Sequence, residues 1–249
     1  MTRLDGARTS TSAFNAGREA RALRWRIAPW VVLAGAFLLT VTGRAETLHY
    51  DAQVAWIRAG AVDLAIERDG DRYELSGMVA TSGAMNRFFR WQGRFAATGR
   101  YVDGYPVTDA YLLLEDDGET REVLLAFRDK TTIHATDRES EEVEHPPGSD
   151  LMSATFLARH CLADGTIVHD GEDTYRVDLL SSGTSRLQGA PNAYSGPTRR
   201  CAYRFYEDGR RARRITVWTA PVDGREVPVR IRIRVPVFPD GVLRLRFDR

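Results

Sequence analysis

Beyond residue 45, eight Asp-Gly dipeptides divide the chain: Asp69-Gly70, Asp103-Gly104, Asp117-Gly118, Asp164-Gly165, Asp170-Gly171, Asp208-Gly209, Asp223-Gly224 and Asp240-Gly241. Asp-Gly supplies the positive φ angles of tight hairpin turns, so several of them should join antiparallel neighbours. Between the turns the residues alternate. Val227, Val229, Ile231, Ile233 and Val235 face one way, while Arg230, Arg232 and Arg234 face the other. Leu243, Leu245 and Phe247 do the same against Arg244 and Arg246. A period of two describes strands wet on one face and buried on the other.

The pattern predicts strands over 47–56, 61–68, 72–81, 87–95, 105–114, 121–127 and 131–136, with a hairpin across 115–120. Further strands are expected over 166–169, 175–180, 200–206, 213–220, 226–235 and 241–247. Residues 137–149 are acidic and contain Pro146-Pro147-Gly148, which predicts a linker or lid loop. The Ser, Gly, Asn and Pro-rich stretch 181–197 predicts a long surface loop. One helix stands out, 149–162, with Ser149 or Asp150 as its cap and Leu151, Ala154, Ala158 and Leu162 on one stripe. The expected fold is mainly β: a curved antiparallel sheet or incomplete barrel of more than ten strands wrapped around one principal helix.

The first 45 residues read as a signal segment. A basic n-region over 1–26 carries Arg18, Arg21, Arg24 and Arg26, and an uncharged apolar core occupies 27–41. Gly43-Arg44-Ala45 then sets small residues one and three before a cut after Ala45. The rival reading is an uncleaved inner-membrane anchor, for which the apolar core falls short of the ~20 residues that span a bilayer. Residues 46–249 form a single β-rich domain on this reading, exported to the periplasm. The two cysteines, Cys161 and Cys201, make an even pair that an oxidising compartment would couple; the alternative is two buried thiols.

Charge is unevenly spread. Residues 198–249 hold 14 arginines against six acids, whereas 46–197 hold 14 basic against 26 acidic side chains. Either the C-terminal strands meet acidic neighbours across the sheet, or Arg230, Arg232, Arg234, Arg244 and Arg246 form a basic surface for anionic glycan or lipid head groups. Signatures of catalysis are missing from the sequence: no GxSxG elbow, GxGxxG turn, Walker loop or HExxH motif occurs. His160 and Cys161 are adjacent, so on a helix they diverge by about 100° and cannot act as nucleophile and base. The expectation is a protein that is not an enzyme, has no catalytic or metal-ligating residues and no cofactor, and binds no nucleic acid. Phe89, Trp91 and Phe95, with Leu151, Met152 and Phe156 of the helix, are either core or the lining of a pocket for a lipid or other apolar ligand.

Asp150-Leu151-Met152-Ser153-Ala154 with Arg159, then Asp170-Gly171 and Tyr175, resembles the bacterial exported proteins of domain-of-unknown-function family 3108. Tyr50 with Ala59-Gly60, and Tyr206 with Pro228, fit the same pattern. The resemblance covers most of 48–249 and implies no activity for any residue. The fold it implies is similar to the curved half-barrels of lipoprotein-carrier proteins, in which a sheet wraps a helix and can shelter acyl chains; a ligand does not follow from a fold.

Overall fold

In the computed structural model, the described residues are 45–83, 85–88, 90–116, 124–128, 131–136, 139–144, 148–170, 173–236 and 239–247. Residues 1–44, which hold nearly all of the expected signal segment, lie outside them, as do Phe89, Asp117-Gly118 and Gly171. Among the described residues no helix is long and apolar enough to cross a membrane.

Among the described residues, fifteen strands run in chain order. The first five are β1 (Glu46–Val54), β2 (Ile57–Asp69), β3 (Arg72–Thr81), β4 (Gln92–Val102) and β5 (Tyr105–Asp116). Then come β6 (Leu124–Arg128), β7 (Thr131–Thr136), β8 (Glu139–Glu144), β9 (Ser149–Asp150) and β10 (Thr166–His169). The last five are β11 (Thr174–Leu187), β12 (Gly196–Glu207), β13 (Arg210–Val222), β14 (Arg225–Arg234) and β15 (Gly241–Leu245). A four-residue helix, α1 (Met85–Phe88), lies between β3 and β4, and α2 (Leu151–Leu157) follows β9.

Twelve strands form one sheet in the order β5-β4-β3-β2-β1-β15-β14-β13-β12-β11-β10-β9. Two meanders meet where the first strand pairs with the last, Tyr50 opposite Leu245. Three hairpins have two-residue Asp-Gly loops with both residues at positive φ: Asp103-Gly104 (52° and 82°), Asp208-Gly209 (47° and 74°) and Asp223-Gly224 (50° and 78°). These are the turns whose twist matches that of the flanking strands. Asp69 instead ends β2, and the β2–β3 loop is Gly70-Asp71.

The sheet curls into a nearly closed barrel with α2 against its inner face. Tyr50, Leu64, Ile66, Val177, Phe205 and Ile231 point inward and are buried. Phe156 enters from the helix and meets Tyr50 edge-on, with ring centres 5.5 Å apart. The Tyr50 hydroxyl crosses to donate to the Pro228 carbonyl at 2.7 Å.

Five local expectations change. The helix stops at Leu157, because Ala158 turns extended (φ −60°, ψ 121°) and the Arg159 amide donates to the Gly104 carbonyl at 3.2 Å. That early exit lets Cys161 reach Cys201. Residues 85–88 are helical, so β4 begins only at Gln92 rather than at 87. Residues 139–144 form β8 rather than a loop, paired with β7 despite their acids. Among the described residues, β6 lies beside β5 but pairs in a separate three-stranded sheet, β6-β7-β8, and most of the expected turn between them falls outside the described residues. Residues 181–187 continue β11, held in register with β12 from Ser181 opposite Ala202 to Leu187 opposite Gly196. Their polar side chains suit a strand that water covers, which is why composition alone reads them as a loop.

Candidate functional site

The C-terminal strands carry their apolar residues inward, so their arginines project outward by alternation. Strand register decides what each meets. Arg204 lies opposite Arg214, Arg214 opposite Arg234, and Arg230 opposite Arg244. Acidic neighbours also occur among the C-terminal strands: Asp178 lies opposite Arg204 and Asp51 opposite Arg244, while Arg199 and Arg225 reach Glu226 and Glu46. Like charges directly opposite each other destabilise a sheet. Trp218, between Arg200 and Arg230, relieves part of this, with the Arg230 guanidinium 5.2 Å from its ring centre. Even so, burial together with Arg244 and Arg232 pushes the Arg230 guanidinium below its ordinary value.

Nearby carboxylates are mostly engaged elsewhere. Asp178 lies opposite Arg204 but pairs with Arg176, and Asp51 lies opposite Arg244 but pairs with Arg58 at 2.9 Å. Arg244 takes the side-chain oxygen of Gln53 instead. Among the described residues, Asp240 is the carboxylate that ion-pairs on this face. It accepts from Arg234 through both carboxylate oxygens at 3.0 Å and from Arg232 at 2.7 Å. The Arg234 hydrogen bonds hold its carboxyl below the usual range. Among the described residues, Arg200, Arg204, Arg214, Arg230 and Arg244 have no ion-pair partner. Arg246 lies just past β15, at the far end from Gly241, where Ala193 bridges to it.

On this face a cleft of about 260 Å³ opens between Arg200, Arg214, Arg232 and Arg234. Its floor is two small side chains, Ala202 and Thr216, opposite each other on β12 and β13. Its far rim is made by a β-bulge between Leu179 and Ser181, which brings Leu180 and Ser181 to the cleft. The Ser181 hydroxyl accepts from Arg200 at 3.1 Å. Sequence reading singled out Arg232 and Arg234 but missed Arg200, Arg214 and Ser181. The spacing of Arg200, Ala202 and Arg204 was the available signal, yet only register shows that these residues face the same solvent.

Five of the six residues considered as ligand lining are among the described residues. Phe95 and Phe156 are buried in the core, and Leu151 and Met152 pack against it. Trp91 precedes β4, its indole beside Gly93, and Phe89 lies outside the described residues. The gap enclosed between α2 and strands β12–β13 is about 20 Å³, room for about one water molecule. A more open apolar groove of about 320 Å³ lies at the barrel's seam, between Tyr105, Pro106 and Val107 of β5 and Ile167 of β10, with Ala154 and Leu162 beneath.

Cys161 and Cys201 form a disulfide with Cα atoms 5.6 Å apart, tying the segment after α2 to β12. His160 stands against the Tyr105 ring, 6.5 Å between centres, so it serves no thiol. Across the seam, Asp150 caps α2 by accepting the Ser153 amide at 2.8 Å. Burial pushes its carboxyl above the ordinary value, against the opposing hydrogen bonds from Thr108, Ser153 and Met152. Among the described residues no group of three or more His, Cys, Asp or Glu side chains could hold a metal ion.

These features define a class: a disulfide-stapled, barrel-like β-domain with a cationic outer wall. The chain belongs to the family described as protein of unknown function DUF3108, whose model matches residues 47–246. Its fold is similar to that of a beta-barrel-like protein of domain of unknown function DUF1849 from Brucella abortus, at 10% identity and a TM-score of 0.52. That similarity covers 84% of this chain and 100% of the other. No curated protein matches the sequence.

Proposed function

We propose that this is an exported, periplasmic and non-enzymatic binding protein whose working surface is the arginine wall of β12–β15. The observation that carries the reading is the register that sets Arg204, Arg214 and Arg234 in one row, and Arg230 beside Arg244. Such a row costs stability in the free protein and is offset when an anion lies across it. The disulfide and the basic, then apolar, leader support the assignment to an oxidising compartment. The ligands this wall suits are anionic groups of the cell envelope.

The test compares wild type with the variant R230E/R232E/R234E for binding to anionic vesicles and to soluble polyphosphate. Binding should weaken steeply as salt rises and be lost in the variant. Binding that is indifferent to salt, or unchanged in the variant, overturns the reading.

A second reading rests on the seam groove. Its lining of Pro106, Val107, Leu162 and Ile167 suits an acyl chain, in keeping with carriage of a lipid or other apolar ligand. Native mass spectrometry of protein purified from the periplasm would show a retained lipid, and a protein recovered empty contradicts this reading.

A further inference from the structure

Among the described residues, four of the five exposed large hydrophobics are joined to the arginine cleft directly or through its wall. Trp56, 88% exposed, and Ile57 form the tip of the β1–β2 hairpin; Val235 follows β14, and Leu180 stands on the cleft rim. The hairpin tip is held to the same end of the barrel as the cleft. Val54 pairs with Gly241, and the Ala55 amide donates to the Asp240 carbonyl at 3.1 Å. The Asp240 carboxylate in turn binds Arg232 and Arg234, both in the cleft wall. One residue therefore links an almost wholly solvated indole to the cationic cleft. Ala55 takes a positive φ of 54° to make the turn, a conformation that non-glycine residues adopt at a cost.

Each half has a chemical partner, and a lipid surface is what offers both at once. Guanidinium groups recognise phosphate through paired N–H donors, and about 260 Å³ suits one head group rather than a whole lipid. Indole rings settle at membrane interfaces, where an apolar body and a polar N–H are both accommodated. A soluble polyanion satisfies the arginines but gives Trp56 and Ile57 nothing to enter. We propose that this end of the barrel docks on an anionic lipid surface, one lipid phosphate occupying the Arg200–Arg214–Arg232–Arg234 cleft while Trp56 enters the interface. The proposal rests on the arginine wall being the working surface and adds its partner and the orientation of binding.

The experiment measures co-sedimentation with phosphatidylcholine vesicles containing phosphatidylglycerol, alongside binding of soluble glycerol phosphate. It uses wild type, R200Q/R214Q in the cleft, R230Q/R244Q outside it with equal charge loss, and W56S; circular dichroism checks the fold of each. R200Q/R214Q should weaken vesicle binding about tenfold or more and abolish glycerol phosphate binding. R230Q/R244Q should weaken glycerol phosphate binding clearly less than R200Q/R214Q does. W56S should weaken vesicle binding about fivefold or more and leave glycerol phosphate binding unchanged. Equal losses in the two arginine pairs overturn the cleft and leave only a diffuse cationic wall. Unchanged vesicle binding in W56S overturns the membrane orientation and leaves a purely electrostatic contact through the arginines. A wild type that binds neither vesicles nor phosphate overturns the proposal together with the reading beneath it.

Discussion

Thr108 and Asp150 bind each other twice across the seam of the barrel. The Thr108 hydroxyl donates to Oδ2 of Asp150 at 2.5 Å and accepts the Asp150 backbone amide at 3.0 Å. Thr108 is on the edge strand β5 and Asp150 on the opposite edge strand β9, so a side chain closes what the backbone ladder leaves open. Ser149 and Tyr73 complete a buried cluster around the same hydroxyl, at 3.1 Å and 3.3 Å. Thr108→Val keeps the shape but takes one hydrogen-bond partner each from a buried carboxyl and a buried amide. The expected loss is about 2–4 kcal/mol, read from urea unfolding. A loss within experimental error would show that β5 and β9 are held by other contacts.

Asp150 also sets a pH dependence. Burial raises its native pKa above that of the unfolded chain. Its contribution to stability is then fully present below the unfolded carboxylate value and is lost as pH rises through the native one. Asp150→Asn keeps a side-chain acceptor for the Ser153 amide but does not titrate. Thermal melts from ~pH 4 to ~pH 7 should show the advantage of wild type over D150N shrinking as pH rises. A constant difference, or one that grows, contradicts a raised Asp150.

The disulfide spans 40 residues of sequence. A closed loop of that length stabilises by about 4 kcal/mol in the chain-entropy model. Cys161→Ala/Cys201→Ala should lower the urea midpoint accordingly, and reductant should then have no further effect on that variant. Free thiols in the oxidised wild-type protein, found by peptide mapping, would contradict the bond.

Phe156 tests how the helix serves the fold. It is 3% exposed and touches Tyr50 in the centre of the core. Phe156→Ala should cost about 3–5 kcal/mol by denaturant unfolding, the range for emptying a packed aromatic site. A near-neutral effect would mean that the space under α2 is already loosely filled.

Strand alternation and Asp-Gly turns were legible in the sequence because both are local. The inward set from Val227 to Ile233 follows from a period of two, and 72–81, 131–136 and 166–169 match their strands residue for residue. Long-range register was not legible. Nothing local shows that Arg204, Arg214 and Arg234 share a row, or that Asp240 joins Trp56's hairpin to the arginine cleft. The polar strand at 181–187 and the acidic one at 139–144 were hidden for a related reason: their pairing comes from neighbours rather than from their own apolar residues. The end of the helix at Leu157 depends on a carbonyl 53 positions earlier, Gly104, which no window on the helix contains.

Hydrogen–deuterium exchange of the intact protein, with and without phosphatidylglycerol-containing vesicles, distinguishes the arginine wall from the seam as the face that meets lipid. Slowed exchange is expected at the Trp56 hairpin, at the bulge around Leu180 and through Arg232 to Gly241, with the β5–β10 seam unaffected. Slowing confined to the seam around Val107 and Ile167, or no slowing anywhere, would contradict an arginine wall that meets an anionic lipid surface.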